Sequence, residues 1–305
     1  MHIAVVGAGA VGGYYGAGLA RAGERVSVIA RGAHLRAIRE RGLLIWSPLG
    51  DHTVRVEAEA EPARVGPVDL VILAVKTYSN PQIVPELPAL CGPETIVLTL
   101  QNGVGSADEI ADAVGEERVL AGTTYVATAI VAPGVIQQTG THRRVILGEA
   151  FGFRTATSSR AAHVAALLSR ADVQAEAVPD GRVPVWEKLI YLATFAAFTG
   201  VSRQPAGAIW SDPIGRQAFL AVAAEVEAVA RAEGVPVAPD IVPRMIAYLD
   251  ALPPDTRSSL LIDLQQNKPI EVEALQGEVV RRGHELGVPT PGMTALYAAL
   301  RAAIA

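Results

Sequence analysis

Three groups of residues have the side chains and spacing to do chemistry. The first is Gly7-Ala8-Gly9-Ala10-Val11-Gly12, a GxGxxG pattern. In such a loop one glycine permits a tight turn, one lets the backbone approach a pyrophosphate, and one lets a helix pack against a strand. The phosphates rest at the helix N-terminus, here Ala10 and Val11, where free N–H groups and the helix dipole favour an anion. The second group is polar and stands at predicted strand ends: Arg31, Lys76 and Asn102. The third is Lys188, which opens a strongly apolar stretch, with Glu271 as a candidate partner charge. A buried ammonium is costly unless paired. Lys188 therefore either snorkels to the surface or meets a carbonyl substrate. Glu271 follows Lys268-Pro269 at a predicted helix start, a position where the dipole alone favours an acid.

The elements around the glycine loop give the pattern its meaning. Ile3 to Val6 reads as a strand, Val11 to Ala22 as a small-residue helix ended by Gly23, and Val26 to Ala30 as a second strand. Strand, loop, helix, strand is the context that a dinucleotide site requires. An NAD site places Asp or Glu at the end of the second strand to hold the ribose 2′-OH. This chain has Ile29-Ala30-Arg31 there, and no acid between Glu24 and Glu40. Arg31 can pair with a 2′-phosphate, so NADP(H) is expected over NAD(H).

Further along, Ala33 to Arg41 predicts a helix, and Leu43 to Trp46 and Thr53 to Ala58 predict strands. Val68 to Val75 and Ile96 to Leu100 are continuous apolar runs, as in strands buried on both faces of a parallel sheet. Lys76 ends the first of these and Gln101-Asn102-Gly103-Val104-Gly105 the second. Ser106 and Glu109 form a capping-box pattern for the next helix. Val119 to Gly148 reads as a meander at the sheet edge, Ser158 to Ser169 as a helix and Val173 to Val178 as a last strand. Pro179-Asp180-Gly181 reads as a turn. Beyond it six stretches read as helices: Val185 to Thr199, Asp212 to Glu233, Asp240 to Leu252, Ser258 to Leu264, Glu271 to Leu286 and Met293 to Ile304. The expected architecture is an α/β Rossmann-type dinucleotide-binding domain over 1–180 followed by an all-α helical domain for substrate and dimerisation over 181–305. A ligand cleft is expected between them.

Ligands of open α/β sheets bind outside the carboxyl ends of the strands. Alone, Lys76 reads as a solvated charge and Asn102-Gly103 as a favoured turn dipeptide. On successive strand ends beside a glycine loop, they favour a site.

Composition narrows the class. The 305 residues are 50% hydrophobic and 19% charged, with a net charge of −5. That describes an ordered globular chain, and no basic block or aromatic-interleaved basic stripe points to nucleic acid. The single Cys91 reads as a small buried hydrophobe. No metal site is predicted. Neither a basic n-region nor an apolar h-region precedes the first strand, so a cytoplasmic location is expected. Leu189 to Val201 is uncharged but only thirteen residues long. A bilayer takes roughly 20, so no membrane span is expected and the stretch reads as a core helix.

The motifs GAGAVG, AVKTY with Lys76, QNGVG and WEKL with Lys188, then Arg257-Ser258-Ser259 followed twelve residues later by Glu271, run in that order. As an ordered set they resemble the ketopantoate reductase family over nearly the whole chain. The resemblance implies a Rossmann domain plus a helical domain, reduction of 2-dehydropantoate to pantoate with NADPH, and often a homodimer. It implies that Lys188 is the general acid at the carbonyl oxygen and that Glu271 orients Lys188 or a substrate hydroxyl. It places Asn102 and Ser259 against substrate, and Arg31 and Lys76 near the NADP phosphates, with Asn102 also at the cofactor.

The chain departs from the family pattern at its polar substrate contacts. Where the family carries Asn one turn, and often two turns, after its lysine, this chain has Leu192 and Ala196. Gln204-Pro205-Ala206 and Thr256 replace other positions where Asn is frequent. Leu192 and Ala196 are expected to face the substrate, because residues one and two turns apart share a helix face. The expected function is NADPH-dependent reduction of a small-molecule carbonyl, 2-dehydropantoate or a less polar 2-oxo acid or ketone. Two other readings stay open here: a Rossmann dehydrogenase acting on another hydroxy acid, ketone or imine, and a non-catalytic NADP(H)-binding redox sensor.

Overall fold

Ile3 to Val6 have no exposed surface, and they form the centre of a sheet. The computed structural model describes residues 1–152 and 155–304. Strand β1 (His2–Val6) leads through the glycine loop into α1 (Ala10–Arg21), then β2 (Arg25–Ile29) and α2 (Gly32–Arg41). After Gly42 come β3 (Leu43–Trp46), β4 (His52–Val54) and β5 (Glu57–Glu59). Then follow β6 (Val68–Leu73), the short α3 (Asn80–Ile83), β7 (Cys91–Thr99) and α4 (Ser106–Val114). The long hairpin β8 (Val119–Ala132) and β9 (Val135–Glu149), α5 (Ser159–Arg170) and β10 (Gln174–Asp180) complete the first unit.

Among the described residues the strand order is β4-β3-β9-β8-β7-β6-β1-β2-β5, with β10 also paired to β9. The run β5-β2-β1-β6-β7-β8 is parallel throughout. Its order reverses between β1 and β6, and ligands of such sheets bind at that switch point.

Three expectations about the strands change. The strand predicted over Thr53 to Ala58 is two strands, β4 antiparallel to β3 and β5 parallel to β2. These lie at opposite ends of the strand order, yet only Arg55 and Val56 separate them. The sheet therefore curls, and α1 packs against β1, β2, β3, β4, β8 and β9. Enclosure explains the small residues of α1: a side chain on Gly13 would strike Ile136, and one on Gly16 would lie 3.2 Å from Val5. Second, the Val119 to Gly148 region is no edge meander, because β9 bonds to β8, β3 and β10. Third, Pro179 and Asp180 belong to β10 instead of a turn. The Asp180 carboxylate accepts from the Arg182 backbone N–H at 2.9 Å, so the chain turns two residues later than expected.

The chain divides into two units: residues 1–101 with 106–182, and residues 102–105 with 183–305. The second unit is helical. It comprises α6 (Arg182–Ser202, from Val183 on), α7 (Ala206–Trp210), α8 (Pro213–Ala232), α9 (Ile241–Asp250), α10 (Ser259–Gln265), α11 (Glu278–Glu285) and α12 (Pro291–Ala302). The short α7 carries too little periodicity to be predicted. Trp186, Leu189, Ile190, Phe195 and Phe219 centre its apolar core. The predicted helix from Glu271 begins instead with a π-helical turn, Glu273–Gly277, before α11. No helix among the described residues is long and apolar enough to cross a membrane.

Candidate active site

In the first unit the three glycines of the loop have separate roles. Gly7 has φ +98°, and a Cβ there would come within 2.7 Å of the Val75 backbone nitrogen. It therefore makes the turn and lets the loop pass close to the end of β6. Gly12 packs α1 against the loop, because a Cβ would overlap the Gly7 carbonyl. Gly9 caps α1 with extended backbone, and nothing lies within 4 Å of its would-be Cβ. Open space stands where a phosphate would approach the N–H groups of Ala10 and Val11. The first turn of α1 carries no acid.

A cavity of about 220 Å³ adjoins this loop, lined by Gly7, Ala8, Gly9, Arg31, His34 and Val75 among others. Arg31 caps α2 with an extended backbone, and its guanidinium donates to Gln82 Oε1 at 3.2 Å. The two acids of β5, the strand paired with β2, are committed elsewhere. Glu57 accepts from Arg25 and Ser27, and Glu59 from Arg39. The residues lining the cavity include cationic Arg31 and no carboxylate. Lys76 follows Val75 just past the end of β6 and caps the short 3₁₀ turn Thr77–Ser79. These residues fit a phosphorylated dinucleotide.

In the second unit, the apolar stretch predicted from Leu189 is α6, and Lys188 stands in its second turn. The Lys188 ammonium donates to Asn102 Oδ1 at 3.0 Å. Burial lowers the Lys188 pKa to about 8, and the charge of buried Glu271 opposes part of that fall. Lys188, Asn102 and Glu271 thus belong to one electrostatic cluster. Asn102 reaches it because the 102–105 loop belongs to this unit. Gly103 has φ +89°, and its would-be Cβ would overlap the Ala274 carbonyl of the π-helical turn. Only glycine lets the loop press there. One residue earlier, Gln101 is anchored in the first unit, donating to Val75 O at 3.0 Å and Asn80 Oδ1 at 2.7 Å. Ser106 turns its hydroxyl to accept from Asn80 at 3.2 Å and opens α4 as its first residue, so the predicted capping box is replaced by this buried bond.

Other predicted substrate residues differ in exposure. Leu192 is half-buried. Ala196 has no exposed surface and is sealed in the helical core, which corrects its assignment to the substrate. Ser259 is exposed, whereas its neighbour Ser258 is buried. Ser258 caps α10 by accepting from Leu261 N–H at 3.0 Å and shares a hydrogen bond with Thr199 at 2.7 Å. The two loop departures lie side by side: Ala206 N–H donates to Thr256 O at 2.9 Å. Sequence reasoning missed His34 at the cavity. His34 had no motif to mark it.

Residues 3–151 match the model for Ketopantoate reductase PanE/ApbA, and residues 182–304 match that for its C-terminal part. The chain belongs to the ketopantoate reductase family. Family members are similar over their whole length. A 2-dehydropantoate 2-reductase of Halobacterium salinarum is 33% identical, with 95% of each chain covered. The solved structure of a PanE/ApbA family ketopantoate reductase from Ralstonia eutropha is 34% identical, with a TM-score of 0.90 over 100% of this chain and 98% of that one. The structure of 2-dehydropantoate 2-reductase from Geobacter metallireducens is 31% identical, with a TM-score of 0.92 over 99% and 100%. The family architecture, a Rossmann-like α/β domain and then a helical domain, is the one seen here.

Proposed function

We propose that this family member is an NADP(H)-dependent reductase of a 2-oxo acid or related carbonyl, with Lys188 as its general acid. The observation that carries the reading is the Lys188 cluster: an amine tuned to about 8, hydrogen-bonded to Asn102 and set against Glu271. A proton donor works best with a pKa near the operating pH. When bound, the reduced nicotinamide supplies hydride to the carbonyl carbon. Lys188 then gives one proton to the oxygen, which becomes the hydroxyl, and the neutral amine recovers its proton from solvent. Glu271 keeps the ammonium charged in a desolvated place, since an opposite charge favours the charged form. Asn102 fixes the direction of the Nζ–H groups.

Cofactor choice rests on Arg31. A guanidinium recognises phosphate, and a carboxylate at this strand end would recognise the unphosphorylated ribose instead. The cavity lining offers the former and lacks the latter.

Leu192 sets the expected substrate. It lies one turn after Lys188 and offers no hydrogen bond to a hydroxyl near the reacting carbonyl. An apolar substituent there gains about 0.8 kcal/mol per buried CH₂. A hydroxyl left unpaired loses about 1–3 kcal/mol. The physiological substrate is therefore proposed to be less polar than 2-dehydropantoate. The test is a spectrophotometric screen of NADPH oxidation with aliphatic and aromatic 2-oxo acids beside 2-dehydropantoate. The expected result is turnover of the apolar acids with the higher kcat/KM. Failure of every carbonyl compound to support NADPH oxidation would refute the reductase reading.

A further inference from the structure

His34 occupies a place that the proposed reaction does not use. It lies in the first turn of α2, and its ring lines the cavity beside the glycine loop. Both ring nitrogens bond to backbone. Nδ1 faces the N–H of Gly134, in the turn between β8 and β9, at 3.0 Å. Nε2 faces the carbonyl of Ala8, inside the glycine loop, at 2.8 Å. An N–H can only donate, so Nδ1 is the acceptor and carries no proton. Nε2 then carries the proton and donates to Ala8. The geometry fixes one tautomer of the neutral ring, and burial, which lowers the His34 pKa, agrees with it.

Each end of this link is held firmly. The Gly134 carbonyl accepts from Leu44 N–H at 2.9 Å, which ties the turn to β3. The N–H groups of Gly7 and Ala8 both donate to Ile29 O, at 3.2 and 2.9 Å. The loop is thus gripped by β2 through its donors and by His34 through its acceptor. A pyrophosphate is bound by amide N–H groups and repelled by carbonyl oxygens. A side chain that holds the Ala8 carbonyl fixes the peptide next to the cap of α1.

We propose that His34 is a positioning residue of the nucleotide site, a neutral imidazole strut that holds the glycine loop in its phosphate-binding shape. The proposal rests on the dinucleotide reading above. It predicts an effect common to both cofactors, since the pyrophosphate is common to both. That separates it from Arg31, which is assigned to the 2′-phosphate alone.

The test compares two variants of the full chain by fluorescence titration with NADPH and NADH and by steady-state kinetics. In His34→Asn the amide oxygen replaces Nδ1 and keeps the Gly134 bond, but nothing reaches Ala8. In His34→Gln the amide nitrogen replaces Nε2 and keeps the donor to Ala8. His34→Asn is expected to weaken both nucleotides by the same factor, roughly five- to ten-fold for one lost hydrogen bond. Its KM for NADPH should rise likewise, with kcat at saturating NADPH within about two-fold. His34→Gln should recover most of the binding. A folded His34→Asn variant, judged by its melting temperature, that binds both nucleotides like the parent overturns the proposal. So does a loss confined to NADPH, or failure of His34→Gln to bind better than His34→Asn. A parent chain that binds neither nucleotide fails the dinucleotide reading itself, and the role of His34 with it.

Discussion

The glycine-loop region and the Lys188 cluster each hold a cation, and they do so in opposite ways. Arg31 is exposed at the end of β2, and its guanidinium donates to the neutral Gln82. Lys188 is half-buried and tuned to about 8. A guanidinium that keeps its proton suits an anion that must stay bound. An ammonium brought close to losing its proton suits a transfer step. Arg and Lys differ in this respect, because a lysine pKa moves readily on burial and an arginine pKa does not. The supports differ too. The glycine loop is shaped by its own backbone conformation and by β1, β2 and β6. The lysine takes its partners from two separate stretches: Asn102 in the 102–105 loop and Glu271 just before the π-helical turn.

Removing each cation in turn tests this contrast most severely. Lys188→Ala should lower kcat by roughly 10²–10⁴, the range for loss of a general acid. NADPH affinity, measured by titration, should stay within about two-fold. Near-normal turnover would move the proton donor elsewhere, with Glu271 the next candidate.

Arg31→Ala should do the reverse. NADPH binding should weaken roughly ten- to a hundred-fold, the worth of a charge-assisted hydrogen bond of about 1.5–3 kcal/mol. NADH binding and kcat at saturating cofactor should change little. Equal weakening of both cofactors would place Arg31 away from the 2′-phosphate.

The smallest effect concerns the wall beside the lysine. Leu192→Asn should shift the ratio of kcat/KM for 2-dehydropantoate over an apolar 2-oxo acid by roughly ten-fold toward the former, as one restored hydrogen bond allows. An unchanged ratio would place the substrate hydroxyl against other groups.

The nucleotide half of the fold was legible in the sequence because its signals are local. The glycines of Gly7 to Gly12, the apolar run of Val68 to Val75 and the acid-free stretch to Arg31 all act on their own neighbours. The curl of the sheet was not legible. It depends on β4 and β5 parting after Val54, and nothing in Thr53 to Ala58 marks that parting. The burial of Ala196 was hidden for a related reason. Helical spacing puts it on the Lys188 side, but packing by the rest of the helical core decides which part of that side stays open. Asn102 was legible as a polar residue at a strand end. That its loop belongs with the helical unit was not, because the reason lies at Ala274, far along the chain, where Gly103 presses against a carbonyl. His34 carried no signal at all, since a strut between two backbone groups needs no motif.

The central claim is that burial and Glu271 together set Lys188 as the proton donor. It is tested most directly by the pH dependence of kcat/KM for carbonyl reduction, in the parent and in Glu271→Gln. The donor must be protonated, so the rate should hold below the Lys188 pKa and fall about tenfold per pH unit above it. The parent should break near pH 8, where burial places the amine. The Glu271 charge raises that pKa, so its removal should move the break to lower pH. A parent profile that stays flat well past pH 9, or a break that Glu271→Gln leaves in place, would contradict the account.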